Sequence, residues 1–205
     1  MSNINMKYNN IFIHNPKTAG TSMEIHDFVG GNSHATAQVL KDIVGEKEWN
    51  RMFTWGFVRN PLDRFVSAFF HEPRTHNFQR NNKGFREFVY FMDKMGIDIP
   101  GSINGAGHHH HHFVPQSYFL CDSDDKVIVD FIGRFSNLKE DWDFVCNKIG
   151  VGIPQELTKE RPSNHAHYSS YYAGDEKLIG MVKKLYEKDY KILGDFSINN
   201  GGRML

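Results

Sequence analysis

Two short apolar segments, each followed by a proline turn and then by a helical pattern, set the fold that this chain can adopt. Residues 11–13 (Ile-Phe-Ile) stop at Asn15-Pro16, and residues 53–58 run into Arg59-Asn60-Pro61. Apolar runs bounded by turn residues predict buried strands. Proline is favoured in the first turn of a helix, so a helix is predicted over residues 61–70. Strands that alternate with helices predict an α/β fold with a mainly parallel sheet flanked by helices.

The remaining pattern fits one domain of this class. At about 150 residues per domain, 205 residues predict a single domain over residues 1–205, and the polar end from residue 197 is expected to be a flexible tail. Thr21 and Ser22 stand where a helix cap would stand, and residues 114–120 fit a helix or a strand. Further helices are predicted at residues 35–44, 85–95, 137–149 and 175–193, and a further strand at residues 126–135.

Charge and composition exclude several classes of protein. Lys+Arg and Asp+Glu are 24 each, so the formal net charge is zero, which argues against a protein that coats nucleic acid or an anionic membrane. The chain contains no apolar stretch of about 18 residues, so no membrane span is predicted. Cys121 and Cys146 are too few for a disulfide framework and are expected to be free thiols. A cytoplasmic location is the resulting expectation.

The turn after the first strand has the residues of a phosphate-binding loop. A strand, a tight turn with glycine and a helix start present backbone N–H groups to an anion. Lys17 adds positive charge, Gly20 permits close approach, and Thr21 and Ser22 add hydroxyl donors. The lysine precedes the glycine, so the loop is not a Walker A motif. The alternative is an ordinary helix cap with an exposed lysine.

The turn after the second strand offers a second anion site. Arg59 ends the strand, and Arg64, Ser67 and His71 share one face of the predicted helix. Arginine binds phosphate in bidentate fashion, and ligands of parallel sheets lie beyond the carboxyl ends of the strands. The alternative is a surface helix with solvated arginines.

Taken together, the two segments resemble a known family. Residues 16–22 (Pro-Lys-Thr-Ala-Gly-Thr-Ser) and 59–67 (Arg-Asn-Pro-Leu-Asp-Arg-Phe-Val-Ser) resemble the two cofactor signatures of sulfotransferases that use 3′-phosphoadenosine 5′-phosphosulfate (PAPS). The resemblance is strongest to the carbohydrate branch, the family 2-like group that includes heparan 2-O- and chondroitin-type enzymes. Residues 113–117, 132–138 and the last helix also resemble later family segments. The resemblance covers roughly residues 10–195 and is weakest over residues 75–107.

This resemblance implies a P-loop-like fold, PAPS as donor, adenosine 3′,5′-bisphosphate as product and a hydroxyl acceptor, expected to be a carbohydrate. It implies that Arg59 and Ser67 hold the 3′-phosphate and that Lys17 stabilises charge on the leaving phosphate. It implies no metal ion. The 5′-phosphosulfate would be held by Lys17, Thr18, Ala19, Gly20, Thr21 and Ser22.

The acceptor hydroxyl needs a base, and histidine suits this role because its ordinary pKa is about 6.5. The resemblance favours His34, which lies between the two signatures. His14, directly before the phosphate loop, is the competing candidate, and His26 and His71 are weaker ones. His112 and Gln116 are expected at the acceptor side, because the family tends to carry a histidine before its counterpart of residues 113–116.

The five consecutive histidines at residues 108–112 have three interpretations: a solvated loop, part of the acceptor site or a transition-metal site. Residues 161–172 resemble the family's cofactor-covering loop. Two other functions stay open at this point. One is a nucleotide-dependent, kinase-like phosphoryl transferase, which lacks its Walker lysine here. The other is a non-enzymatic module that uses the histidines to bind metal or sugar.

Overall fold

The computed structural model describes residues 3–31, 33–72, 75, 77–97, 110–152, 156–157, 165–194 and 203–204. Contacts within the chain form two compact units. Met1–Arg59, Gln116–Arg161 and Ser197–Leu205 form the first, which we call the sheet unit. Asn60–Pro115 and Pro162–Phe196 form the second, which we call the helical unit. A single domain over the whole chain stays a prediction.

A five-stranded sheet forms the centre of the sheet unit. Its three inner strands are parallel, and an antiparallel strand lies at each edge. The register pairs Ile13 with Gly56 and Val58 with Arg134, so the carboxyl ends of the three inner strands lie on the same side of the sheet. The α/β class and the mainly parallel sheet are therefore confirmed. In spatial order the strands are β1 (Ile4–Asn5), β2 (Asn10–Ile13), β3 (Phe53–Val58), β4 (Phe131–Arg134) and β5 (Arg203–Met204).

The helices of the described residues alternate with these strands. α2 follows the sequence signals closely, because the Thr36 hydroxyl accepts a hydrogen bond from the Val39 N–H at 3.2 Å and Gly45 ends the helix with a φ of 79°. In chain order the helices are α1 (Gly20–Glu24), α2 (Ala37–Val44), α3 (Glu46–Trp49), α4 (Pro61–His71), α5 (Asn82–Met95), α6 (Ser117–Leu120), α7 (Leu138–Ile149), α8 (Ser169–Tyr172), α9 (Glu176–Leu185) and α10 (Glu187–Leu193).

The core of the sheet unit explains why its inner strands are mostly apolar. Every residue of β2 and β4 is buried, as expected for parallel strands that are covered on both faces. Trp55 stacks on Phe12 with their ring centroids 4.4 Å apart. The buried cluster comprises Phe12, Met23, Phe28, Val29, Trp55, Phe57, Phe131, Trp142, Val145 and Cys146.

The helical unit has its own, strongly aromatic core. α4 begins as predicted at Pro61, where the Asn60 side chain accepts a hydrogen bond from Leu62 N–H at 2.9 Å. Its core-facing rings pack against Phe85 of α5, and the helix also contacts α9. Aromatic rings dominate the buried cluster, which includes Phe65, Phe69, Phe85, Phe88, Phe113, Tyr171, Tyr172 and Tyr186.

Two local predictions about helices are corrected. Thr21 and Ser22 lie inside α1 rather than at its cap, because Ala19 occupies the cap with a φ of 70° and no side-chain hydrogen bond. The single helix predicted over residues 175–193 is two helices that meet at Tyr186. This ring is fully buried and its hydroxyl donates to the Phe113 carbonyl at 2.8 Å, so tertiary contacts override the helical spacing there.

The strand predicted over residues 126–135 is shorter than expected. β4 covers Phe131–Arg134, and Val127 forms only an isolated bridge with Cys121. Residues 114–120, which fitted either element, contain helix α6. The expected tail contains β5 at Arg203–Met204, and its other residues lie outside the described part.

Both cysteines are buried free thiols, as predicted. No helix among the described residues combines the length and the apolar character needed to cross a membrane.

Candidate active site

The loop between β2 and α1 contains two residues with left-handed backbone angles. Lys17 and Ala19 both adopt positive φ angles, 67° and 70°, and Thr18 lies between them. Left-handed backbone angles beside a helix start occur in loops whose N–H groups face one concave side and bind anions. Thr18 is fully buried, and its hydroxyl donates to the Asn15 carbonyl at 2.7 Å, which closes the loop on itself. Phosphate binding by this loop stays a prediction.

Gly20 is required by a side chain, not by its own backbone angles. A Cβ atom at this position would lie 2.1 Å from Nε2 of His14, well inside van der Waals contact. The imidazole ring of His14 therefore packs directly against Gly20, the first residue of α1. The sequence analysis assigned Gly20 to close approach of an anion, and this steric reason was not foreseen.

His14 is held on three sides. Its Nδ1 lies 2.7 Å from Oε1 of Glu24, its ring stacks on Phe12 at 5.5 Å, and the ring of His34 lies 4.3 Å away. Only 6% of His14 is exposed, so an acceptor cannot reach it easily. This burial argues against His14 as the base.

His34 is half-buried and has a fixed ring orientation. Its Nδ1 lies 2.9 Å from the backbone carbonyl of His14. A carbonyl only accepts hydrogen bonds, so Nδ1 carries the proton in the neutral ring and Nε2 is the basic nitrogen. A neutral imidazole with Nε2 as its basic atom has the chemistry of a general base.

Arg59 lies directly after β3 and is attached to the loop. Its Nη1 donates to the Lys17 carbonyl at 3.3 Å, and its guanidinium lies 4.2 Å from the centre of the Phe135 ring. Gln116 is fully buried and binds both polar groups of the Arg59 backbone. The amide of Gln116 therefore fixes Arg59 and leaves little of itself for an acceptor.

Arg134 is a functional candidate that the sequence analysis missed. It is the last residue of β4 and lies beside Val58, the last residue of β3. Its N–H donates to the Asp141 carboxylate at 2.6 Å, which fixes the backbone at the strand end. The rule that selected Arg59, a cation directly at the end of an apolar strand, could also have selected Arg134. Each of the three parallel strands thus ends at, or is followed by, a cationic residue on the same side of the sheet: Lys17, Arg59 and Arg134.

His26 does not belong to this group. The residue is half-buried, and its ring stacks on Phe28 at 5.3 Å and lies 5.3 Å from Trp142, two members of the core of the sheet unit. Burial lowers the pKa of His26 below its ordinary value, and the charge of Asp27 opposes this only in part. These contacts describe a half-buried histidine that packs against aromatic core residues.

The remaining candidates lie in the helical unit. Ser67 is buried on α4, and His71 is exposed at the end of the same helix. Arg64, expected on a phosphate-binding face, is instead fully buried, and its Nη2 donates to the Val114 carbonyl at 2.8 Å. Arg64 therefore stabilises the core of this unit.

His112 is paired with a buried carboxylate. Its Nδ1 lies 2.8 Å from Oε2 of Glu72, and the two side chains are 12% and 3% exposed. The ring of His71 meets the His112 ring edge to face at 4.9 Å. Residues 108–109 of the histidine run and residues 161–164 of the expected covering loop lie outside the described part of the chain.

Comparison with known proteins adds the family. The profile described as "Sulfotransferase family" matches residues 3–196, almost the whole chain. A protein of Archaeoglobus fulgidus, described as uncharacterized, is 34% identical over 125 residues, which cover 59% of this chain and 85% of the relative. No solved structure matches the chain.

Proposed function

The chain belongs to the sulfotransferase family, and on this basis we propose that it transfers a sulfuryl group from PAPS to a hydroxyl group of a carbohydrate acceptor. The observation that supports this most is the group of cationic residues at the carboxyl ends of the parallel strands. The loop with positive φ at Lys17 and Ala19 is attached to Arg59 through the Lys17 carbonyl. A compact group of N–H donors and cations suits a nucleotide with phosphate groups.

In this proposal the loop residues Lys17, Thr18, Ala19, Gly20, Thr21 and Ser22 hold the 5′-phosphosulfate. Arg59 and Ser67 bind the 3′-phosphate, as the family resemblance implies. The Lys17 ammonium and the loop N–H groups stabilise the negative charge that develops on the leaving phosphate oxygen.

His34 acts as the base in this proposal. Its Nε2 takes the proton of the acceptor hydroxyl while the oxygen forms a bond to sulfur, and the bond between sulfur and the phosphate oxygen breaks. The products are the sulfated acceptor and adenosine 3′,5′-bisphosphate. The His14 carbonyl accepts a hydrogen bond from the Nδ1–H of His34, and this keeps Nε2 as the basic atom.

The acceptor-side assignments change in one respect. We retain His112 as a residue that faces the acceptor, and its bond to Glu72 would orient the ring. Gln116 is assigned to hold Arg59, because both ends of its amide already bind the Arg59 backbone. A cytoplasmic location remains part of the proposal.

Isothermal titration with adenosine 3′,5′-bisphosphate tests the nucleotide site. We expect Lys17→Ala and Arg59→Ala each to weaken binding by about tenfold or more, since each removes a charged hydrogen-bond donor. Arg51→Ala is the matched control. Arg51 lies before the opposite end of β3, is 65% exposed and pairs with Glu48, so its loss should leave binding unchanged.

A second ligand and a second donor sharpen this test. Adenosine 5′-monophosphate, which lacks the 3′-phosphate, should bind more weakly than the bisphosphate to the wild type. The proposal fails if the wild type does not bind the bisphosphate, or if Arg59→Ala binds it as well as Arg51→Ala does. Turnover of ATP with Mg²⁺, without transfer from PAPS, would favour the kinase-like alternative.

A further inference from the structure

We infer that Glu24 is a positioning residue of the phosphate loop, because it fastens the His14 ring beneath Gly20. The inference rests on the proposed function, since it concerns the same loop. It assigns to Glu24 a role that the sequence signatures do not contain, and it explains why the loop needs both a histidine before it and a glycine after it.

The first step is the contact between Glu24 and His14. Oε1 of Glu24 lies 2.7 Å from Nδ1 of His14, and the two side chains are 10% and 8% exposed. A carboxylate only accepts hydrogen bonds, so the Nδ1 atom of His14 carries the proton. Hydrogen bonds to charged groups that are largely shielded from solvent are strong. The pair therefore holds the imidazole in one rotamer and one tautomer.

The second step is the geometry of α1. Gly20 and Glu24 are four residues apart in this helix, so they lie on the same face. His14 contacts both of them: Nδ1 meets the Glu24 carboxylate, and Nε2 lies against the Gly20 backbone. The imidazole ring thus joins the end of β2 to the first turn of α1.

The third step is what this junction encloses. The segment between His14 and Gly20 contains the first residues of the proposed phosphate loop, including the two with positive φ, Lys17 and Ala19. Such backbone angles are unfavourable for residues other than glycine and persist only when surrounding contacts impose them. The bond between Glu24 and His14 supplies one such contact across the base of the loop.

The same ring also connects to the proposed base. The His14 carbonyl accepts the Nδ1–H of His34 at 2.9 Å, and the two rings lie 4.3 Å apart. A displaced His14 ring would disturb both the loop and the orientation of His34. Glu24 therefore acts on the reaction through His14 without contact with a substrate.

The test compares three variants of the full chain. Glu24→Ala removes the contact, whereas Glu24→Gln keeps an oxygen that accepts the Nδ1 hydrogen bond. Glu140→Ala is the control, because Glu140 is an exposed glutamate on α7 of the same unit. The two readouts are the affinity for adenosine 3′,5′-bisphosphate and the ring-nitrogen signals of His14 in ¹⁵N NMR spectra.

We expect Glu24→Ala to weaken nucleotide binding by about tenfold and to shift the His14 signals toward a mixture of tautomers. Glu24→Gln should recover affinity to within about threefold of the wild type. Glu140→Ala should match the wild type in both readouts. A purely structural glutamate would lower the unfolding temperature of Glu24→Ala but would leave nucleotide affinity and the His14 tautomer unchanged.

Two failures are distinguishable. If the wild type binds the nucleotide and Glu24→Ala binds it equally well, the positioning role is wrong and the proposed function stands. If the wild type does not bind the nucleotide, the proposed function is wrong, and unchanged His14 signals in Glu24→Ala would also overturn the fastening of the ring.

Discussion

Gln116 binds both polar groups of the Arg59 backbone: its Oε1 accepts from the Arg59 N–H at 2.8 Å, and its Nε2 donates to the Arg59 carbonyl at 2.9 Å. The buried amide thus makes the two backbone hydrogen bonds that a neighbouring strand would make at the point where β3 ends. The Arg59 backbone is therefore fixed as firmly as that of a strand residue, while its guanidinium extends to the carbonyl of Lys17.

Replacement of Gln116 by leucine should weaken both stability and nucleotide binding. The change removes the Gln116 partner from the N–H and the carbonyl of half-buried Arg59, at a cost of about 1–3 kcal/mol in the free energy of unfolding. Chemical denaturation and calorimetry with adenosine 3′,5′-bisphosphate measure the two effects. Gln38→Leu is the control, because the Gln38 amide binds only Asp42 in an exposed pair on α2. Equal stability of the two variants would contradict this account of Gln116.

Gly20→Ala should be destabilising although alanine favours helices. The added methyl group would lie 2.1 Å from Nε2 of His14, so the ring or the helix must shift, at about 1–3 kcal/mol. Gly180→Ala, in the exposed part of α9 with nothing within 4 Å of its Cβ position, should instead leave stability unchanged or raise it by up to about 1 kcal/mol. Thermal unfolding of the two variants decides this, and a neutral Gly20→Ala would show that the His14 ring is not fixed.

His34→Ala should separate chemistry from binding. Loss of a general base lowers turnover by about 10²–10⁴-fold, whereas affinity for adenosine 3′,5′-bisphosphate should change little. The measurement is sulfuryl transfer from PAPS to a panel of saccharides, with His167→Ala, an exposed histidine of the helical unit, as the control. Turnover that survives in His34→Ala would move the role of base to His112.

His26 should make stability depend on pH. Burial lowers its pKa in the folded protein, so the unfolded chain binds more protons at this ring than the folded chain does. The free energy of unfolding should therefore fall as pH decreases through the ordinary value of about 6.5. In His26→Phe, which keeps the stack with Phe28 and Trp142, urea titrations between about pH 7 and pH 5 should show a smaller decrease than in the wild type. Parallel curves would contradict the assignment.

The sequence predicted the features that depend on residues close together in the chain, such as strand bounds and helix starts. β3 has the predicted bounds, and α4 begins at the predicted proline. The contact of Gln116 with Arg59 spans 57 positions, and nothing in the local pattern marks it. The buried state of Arg64 was missed for a similar reason, since its partner Val114 lies 50 positions away.

The candidate site shows the same contrast between local sequence patterns, which were predicted, and contacts between separate elements, which were not. The order of lysine, glycine and hydroxyl residues predicted a phosphate loop, because phosphate chemistry constrains those residue types, and this assignment stays a prediction. The roles of His14 and Glu24 depend on a ring held between a strand end and a helix, which becomes visible only when β2 and α1 are placed together.

The two-residue strands at the margins of the sheet, β1 and β5, have a consequence for the behaviour of the protein in concentrated solution. Long, regular margins invite strands of other molecules to add to a sheet, whereas very short antiparallel ones offer few backbone groups for such addition. β5 pairs with Phe131 and Ile132 of β4, so it occupies backbone groups of a highly apolar strand. Removal of residues 203–204 would uncover those groups, and we expect the shortened protein to self-associate more than the full chain does.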